Sequence, residues 1–219
     1  MQIFRCYIVE CSQCNIELAV LVDASQKSST GWQDVKNFVS SFVANFNINS
    51  NCVTVVLMPY ANAAGSPVTY SDINSLQNGV RSLNLIGGSS NVAVAFQSLR
   101  NNVFPRTVRP GARRVVAIIT DELSCTSAVT TEAANIRNMG VVILGVGVRT
   151  FGMDSSCLRQ IVTPNQAIEV PAYNQLVSYV SRAVQFACVS QPAPAPAPSK
   201  YIVHEIYGKP FNSFCYDDL

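Results

Sequence analysis

The residues best placed to do chemistry lie in the stretch from Ile16 to Ser29, IELAVLVDASQKSS. An apolar run leads into Asp23, and Ser25 follows two residues later. A carboxylate and a hydroxyl on the loop leaving a strand are oxygen ligands suited to a hard divalent cation. The run RRVVAIITDE (113–122) repeats this arrangement, with an apolar strand ending in Asp121. Open α/β sheets bind ligands at the carboxyl ends of their strands, where both acids fall. Catalytic chemistry finds little support. An aspartyl nucleophile at Asp23 would want a second acid two residues on, and Ser25 stands there. The single histidine, His204, lies in the tail, far in sequence from either acid. No G-x-S-x-G elbow, P-loop or G-x-G-x-x-G occurs, so no enzymatic activity is expected.

Elements able to position these acids follow from the apolar pattern. The runs at 16–22, 52–58 (CVTVVLM), 113–120 and 140–148 (GVVILGVGV) read as strands buried on both faces, as in a parallel sheet. SPVTY (66–70) reads as a short edge strand and AIEV (167–170) as a last strand. In 31–46, Val35, Phe38, Val39, Phe42, Val43 and Phe46 form one helical stripe. Another helix starts at Ser71-Asp72, and further helices are expected at 126–139, 155–162 and 173–187. Ser89, Ser90 and Asn91 follow the turn Gly87-Gly88 and can cap the helix that carries Val92, Ala95, Phe96 and Leu99. Gly145 and Gly147, inside a strand, predict close backbone packing. Strands alternating with helices of this size mean a parallel sheet covered on both faces.

A chain of 219 residues, 48% hydrophobic and 13% charged, suits one globular core with short appendages. A net charge of +2, with no basic cluster larger than Arg113-Arg114, argues against a nucleic-acid partner. No apolar run reaches the roughly 18 residues of a membrane span. Eight cysteines point to an oxidising compartment, and the single CxxC, Cys11 to Cys14, argues against zinc. The start, MQIFRCYIVE, has too short an apolar region for a secretory leader, so a processed chain is expected. PAPAPAP (192–198) reads as an extended linker. Beyond it, in 200–216, Tyr201, Ile202, Val203, Ile206, Tyr207, Phe211 and Phe214 are too many apolar groups for a solvated tail, and the segment is expected to dock on the N-terminal segment or a neighbour.

Strand–DASQK, then GGSS before a helix, then a strand ending VVAIITDE resembles a von Willebrand factor A domain over about residues 14 to 188. The resemblance implies an α/β fold with a doubly wound, Rossmann-like, mostly parallel six-stranded sheet. Its expected order is 3-2-1-4-5-6, with helices on both faces. The chain then divides into an N-terminal segment (1–13), the domain (14–189), a Pro/Ala linker (190–199) and a tail (200–219). The family also implies a metal-ion-dependent adhesion site on the top face, carried over here onto Asp23, Ser25, Ser89 or Ser90, and Asp121. Two positions depart from the pattern: Lys27 replaces a usual Ser ligand, and Glu122 replaces a usual Gly. An ammonium about 4 Å from a divalent ion would be repelled by roughly 2 kcal/mol in bulk water and roughly 8 at an effective dielectric of 20. The expectation is a degenerate site, with Mg2+ (or Ca2+ or Mn2+) held weakly or not at all. The Lys27 ammonium is expected near Asp23 and Asp121 as a tethered substitute.

Placed in this fold, Cys125 and Cys157 follow adjacent strands on the top face, and Cys14 and Cys188 both fall on the bottom face. These are the expected pairs, while Cys11–Cys52 and Cys6–Cys215 are guesses among many connectivities. The implied function is a secreted, extracellular protein-binding or adhesion module. Its partner is an extracellular protein ligand or other copies of itself, not nucleic acid, and it carries no membrane span. The alternative is a matrix building block that self-assembles through its ends, where IFRCYIV and YIVHEI are each able to add a strand to a sheet edge.

Overall fold

Strand β1 (Ile16–Asp23) is buried along its whole length, as an apolar run in the middle of a sheet must be. It pairs in parallel with β2 (Val53–Tyr60) on one side and β4 (Arg113–Thr120) on the other. The sheet continues in parallel from β4 to β5 (Val142–Val148) and β6 (Ala167–Val170). On the far side of β2 the short β3 (Val68–Tyr70) is antiparallel. The six strands therefore run in the order β3-β2-β1-β4-β5-β6. The computed structural model describes residues 14–25, 30–106 and 109–189. The expectations for Lys27, Cys6, Cys11, Cys215, the Pro/Ala linker and the tail lie outside the described residues.

The period of two along each strand divides the core. Ile16, Leu18, Val20 and Val22 face α1 (Trp32–Val43), α2 (Ile73–Arg81) and α6 (Val180–Val189). Ala19 and Leu21, with Val116 and Ile118, face α3 (Val92–Ser98), α4 (Ser127–Asn138) and α5 (Ser155–Ile161). Gly145 and Gly147 allow the α5 side to press on bare backbone. A Cβ there would lie 2.6 Å from Leu158 Cδ1 and 2.4 Å from Met153 Cε, respectively.

Local chemistry explains the starts and stops. Asp72 caps α2 by accepting the Ser75 N–H at 2.7 Å. The expected side-chain cap on α3 is not made: Asn91 holds the cap position without a side-chain bond, and Ser90 turns toward the loops of β1 and β4 instead. The expected last helix, 173–187, divides in two. Tyr173–Tyr179 forms a 3-10 helix, and only then does α6 begin. Ala172 at its cap offers no side-chain acceptor, and tightened turns satisfy the free backbone groups instead.

Among the described residues, two complete disulfides close the fold. Cys14–Cys188 joins its lower ends across 174 residues, and Cys125–Cys157 joins the loops after β4 and β5. Cys52 is disulfide-bonded as well, and Cys11, its expected partner, lies outside the described residues. At the same lower end, the Arg109 guanidinium donates to the carbonyls of Ile16, Asn51 and Cys52. The Arg109 backbone N–H donates to Glu17 Oε1 at 2.7 Å.

Candidate functional site

Register brings three polar side chains into one row at the upper end of the sheet. Asp23 is the last residue of β1 and lies opposite Tyr60, the last residue of β2. Thr120 ends β4, one residue beyond the pair Val22–Ile119. Thr120 Oγ1 lies 2.6 Å from Asp23 Oδ2 and donates to it, and the Ser25 N–H donates to Asp23 Oδ1 at 3.0 Å. The Ser90 side chain adds a third donor, from the loop before α3. Asp23 is only 1% exposed, and burial pushes its carboxyl above the ordinary carboxylate range, while bonds from Thr120, Ser90 and Ser25 hold it back. Burial, and next the charge of Asp23, push the Tyr60 phenol well up as well.

Asp121 follows β4 and is also buried. The Thr150 hydroxyl donates to its backbone carbonyl. The Tyr173 hydroxyl donates to Asp121 Oδ2 at 2.5 Å, reaching over from the 3-10 helix. Burial, and after it the bond to Asp121, drive the Tyr173 phenol far up. Its ring lies on Gly31, where an added Cβ would meet the ring at 2.0 Å. Among the described residues, three buried side-chain oxygens have no hydrogen-bond partner, and two of them, Ser25 Oγ and the Tyr60 hydroxyl, lie at this end of the sheet; the third is Gln166 Oε1.

Of the residues singled out by sequence, Asp23, Ser25, Ser90 and Asp121 come together, and Ser89 is exposed to solvent. Lys27 lies outside the described residues. Glu122 Oε2 receives the Ser90 N–H at 3.4 Å, and the Glu122 backbone N–H donates to Thr120 Oγ1 at 3.2 Å. Beside it a groove of about 250 Å³ opens between Ser89, Ser90, Asn91, Glu122, Ser124 and Thr126. Sequence reasoning missed Tyr60, Thr120 and Tyr173. The strand ends would have marked the first two, since Tyr60 and Thr120 close the strands on either side of β1. Nothing local marks Tyr173, whose partner is 52 residues away.

The donor set fits a hard divalent cation: two carboxylates, two serine hydroxyls and no nitrogen or sulfur. A buried hydroxyl without a partner costs about 1–3 kcal/mol, and an ion at this place would engage Ser25 Oγ. No group of three or more His, Cys, Asp or Glu that could hold a metal occurs among the described residues. A metal here would rest on two carboxylates and hydroxyls. Among the described residues no helix is long and apolar enough to cross a membrane.

The family model for the von Willebrand factor type A domain matches residues 17–182. The chain is 26% identical over 190 residues to von Willebrand factor A domain-containing protein 2 of Xenopus laevis, covering 84% of this chain and 24% of that protein. It is 32% identical over 163 residues to the human collagen alpha-1(XX) chain, covering 70% of this chain and 12% of that protein. Among solved structures it is similar to proximal thread matrix protein 1 from the mussel byssus, solved with a zinc-occupied MIDAS motif. That similarity has a TM-score of 0.73 and 23% identity, covering 83% of this chain and 47% of the other. The chain thus spans about a quarter or less of the curated relatives' lengths and about half of the solved chain.

Proposed function

The chain belongs to the von Willebrand factor type A family, and from that premise we propose that it is an extracellular protein-binding module with a degenerate, weak cation site on its top face. The observation that carries this reading is the buried, unpartnered Ser25 hydroxyl beside Asp23. Asp23, Ser25, Ser90 and Asp121 would hold the ion. When bound, the ion supplies positive charge and a coordination position for an acidic side chain of the partner. Thr120 orients the Asp23 carboxylate, and burial of Asp23 and Asp121 keeps bulk water from screening their charge. Ile86 and Phe151 sit exposed on loops tied to the site, through Ala24 and through Thr150 beside Asp121. They give the partner apolar surface around its acid.

The zinc in the mussel protein's MIDAS motif and the collagen chain among the relatives support the extracellular, metal-assisted reading. Lys27, standing where the family has Ser, is the reason for weak affinity, and the module carries no catalytic role. The test is a binding screen against purified extracellular matrix proteins, run with magnesium and again with chelator. Retention that needs the cation and disappears in Asp121→Asn supports the proposal. Retention indifferent to both overturns it.

A second reading is a matrix building block, favoured by the apolar ends IFRCYIV and YIVHEI and by the matrix role in the mussel protein's name. Assembly that rises with concentration, ignores chelator and stops when residues 1–13 and 190–219 are removed would favour it.

A further inference from the structure

Tyr173 contributes nothing to the strands that build the site, yet its hydroxyl ends on one of the site's two acids. We propose that Tyr173 is a latch: its hydroxyl competes with an incoming cation for Asp121 and ties the occupancy of the site to the segment 173–179. This rests on the adhesion-site reading above. The phenol is a neutral donor aimed at Asp121 Oδ2, 2.5 Å away, and it competes with a cation for the electron density of that carboxylate. The ring is seated on Gly31 at the start of α1, a fit that any larger residue would block. Tyr173 is therefore held from both sides.

The segment that carries the latch is structurally distinct from the helix that follows it. It is a 3-10 helix of 7 residues, longer than such helices usually run. Leu176 is its one buried residue, and Val177 is 49% exposed. Tyr173 and Tyr179 pack partly buried against the core beside Leu176, so opening this segment means lifting those rings, and the hydroxyl bond to Asp121 adds to what holds them. The far end of α6 is fixed by Cys14–Cys188. Release of Tyr173 is thereby confined to 173–179 and does not slide the whole helix. Coupling is reciprocal: a partner that pulls this segment away raises cation affinity, and a cation loosens the segment.

The test uses manganese as the probe on the wild-type chain, Tyr173→Phe and Gly31→Ala. Tyr173→Phe keeps the ring on Gly31 and deletes only the hydroxyl. Gly31→Ala instead forces the ring off its seat. Both are expected to bind manganese about fivefold tighter or more by calorimetry. Without metal, both should exchange the amides of 173–179 about fivefold faster. Manganese should speed that exchange in the wild type and change nothing further in Tyr173→Phe. Equal affinity and equal exchange in Tyr173→Phe and wild type overturn the latch. If no cation binds any of these proteins or Lys27→Ser, the cation reading itself falls. The exchange data then decide the latch alone: faster exchange in Tyr173→Phe supports it, and unchanged protection overturns it.

Discussion

Strand β1 carries two buried acids on the same face, Glu17 near its lower end and Asp23 at its upper end, 6% and 1% exposed. Six residues of strand separate them by about 20 Å. Glu17 accepts the Arg109 backbone N–H, and the guanidinium Nε lies 3.9 Å away. The same guanidinium binds three strand-end carbonyls, and Cys14–Cys188 closes the chain close by. Asp23 is held by neutral donors among the described residues, its carboxyl is pushed up by burial, and the Ser25 hydroxyl next to it has no partner. One acid is part of a paired scaffold, and the other is left in a state that folding alone does not favour. Unfavourable groups that persist on a rigid frame mark the places where binding is done.

That contrast has consequences for stability. Replacing Cys14 and Cys188 together by Ala releases a loop of 174 residues, which the chain-entropy model values at about 5 kcal/mol. Urea unfolding should show a loss of at least about 2 kcal/mol, and a loss below about 1 would mean the lower end does not depend on the bridge. Arg109→Ala keeps the backbone N–H on Glu17 but removes the guanidinium from beside that carboxylate and from the carbonyls of Ile16 and Asn51, and should cost about 2 kcal/mol in the same assay.

The upper end should respond in the opposite direction. In chelator at neutral pH, Asp23→Asn should raise stability by about 1 kcal/mol, as is common where a site residue is removed. The sign follows from linkage. The folded pKa of Asp23 is raised, so the folded state holds its proton more tightly and its favourable contribution is full below the ordinary value of 3.8. Wild-type stability should fall as pH rises from there through the raised value, and Asp23→Asn should lack that fall. Urea midpoints across this range decide it. Tyr60→Phe deletes a buried, unpartnered hydroxyl and should leave stability unchanged or raise it by up to about 1 kcal/mol. A clear loss from Tyr60→Phe would show that this hydroxyl is satisfied after all.

Much of the frame was legible because it depends on local pattern. Runs such as IELAVLVD and RRVVAIIT admit no reading but strands covered on both faces, and Asp23 and Asp121 announce themselves where those runs end. The strand order came from family resemblance, since pairing partners leave no trace in a single strand. Tyr173 and Arg109 were not legible. Each acts on residues far away in sequence, Asp121 and the start of β1, and their neighbours look like an ordinary helix and an ordinary loop. The 3-10 helix at 173–179 was hidden for a related reason: its apolar spacing suits an α-helix, and only the lack of a side-chain cap at Ala172 sets it apart.

The most direct measurement is a calorimetric titration of magnesium into three proteins: wild type, Lys27→Ser and Asp23→Asn. We expect one weak site in the wild type and a clearly tighter one in Lys27→Ser, where a repelling ammonium gives way to an oxygen ligand. In Asp23→Asn we expect none. Binding that is tight in the wild type and unchanged in Lys27→Ser, or that survives in Asp23→Asn, would contradict a weak cation site built on Asp23, Ser25, Ser90 and Asp121.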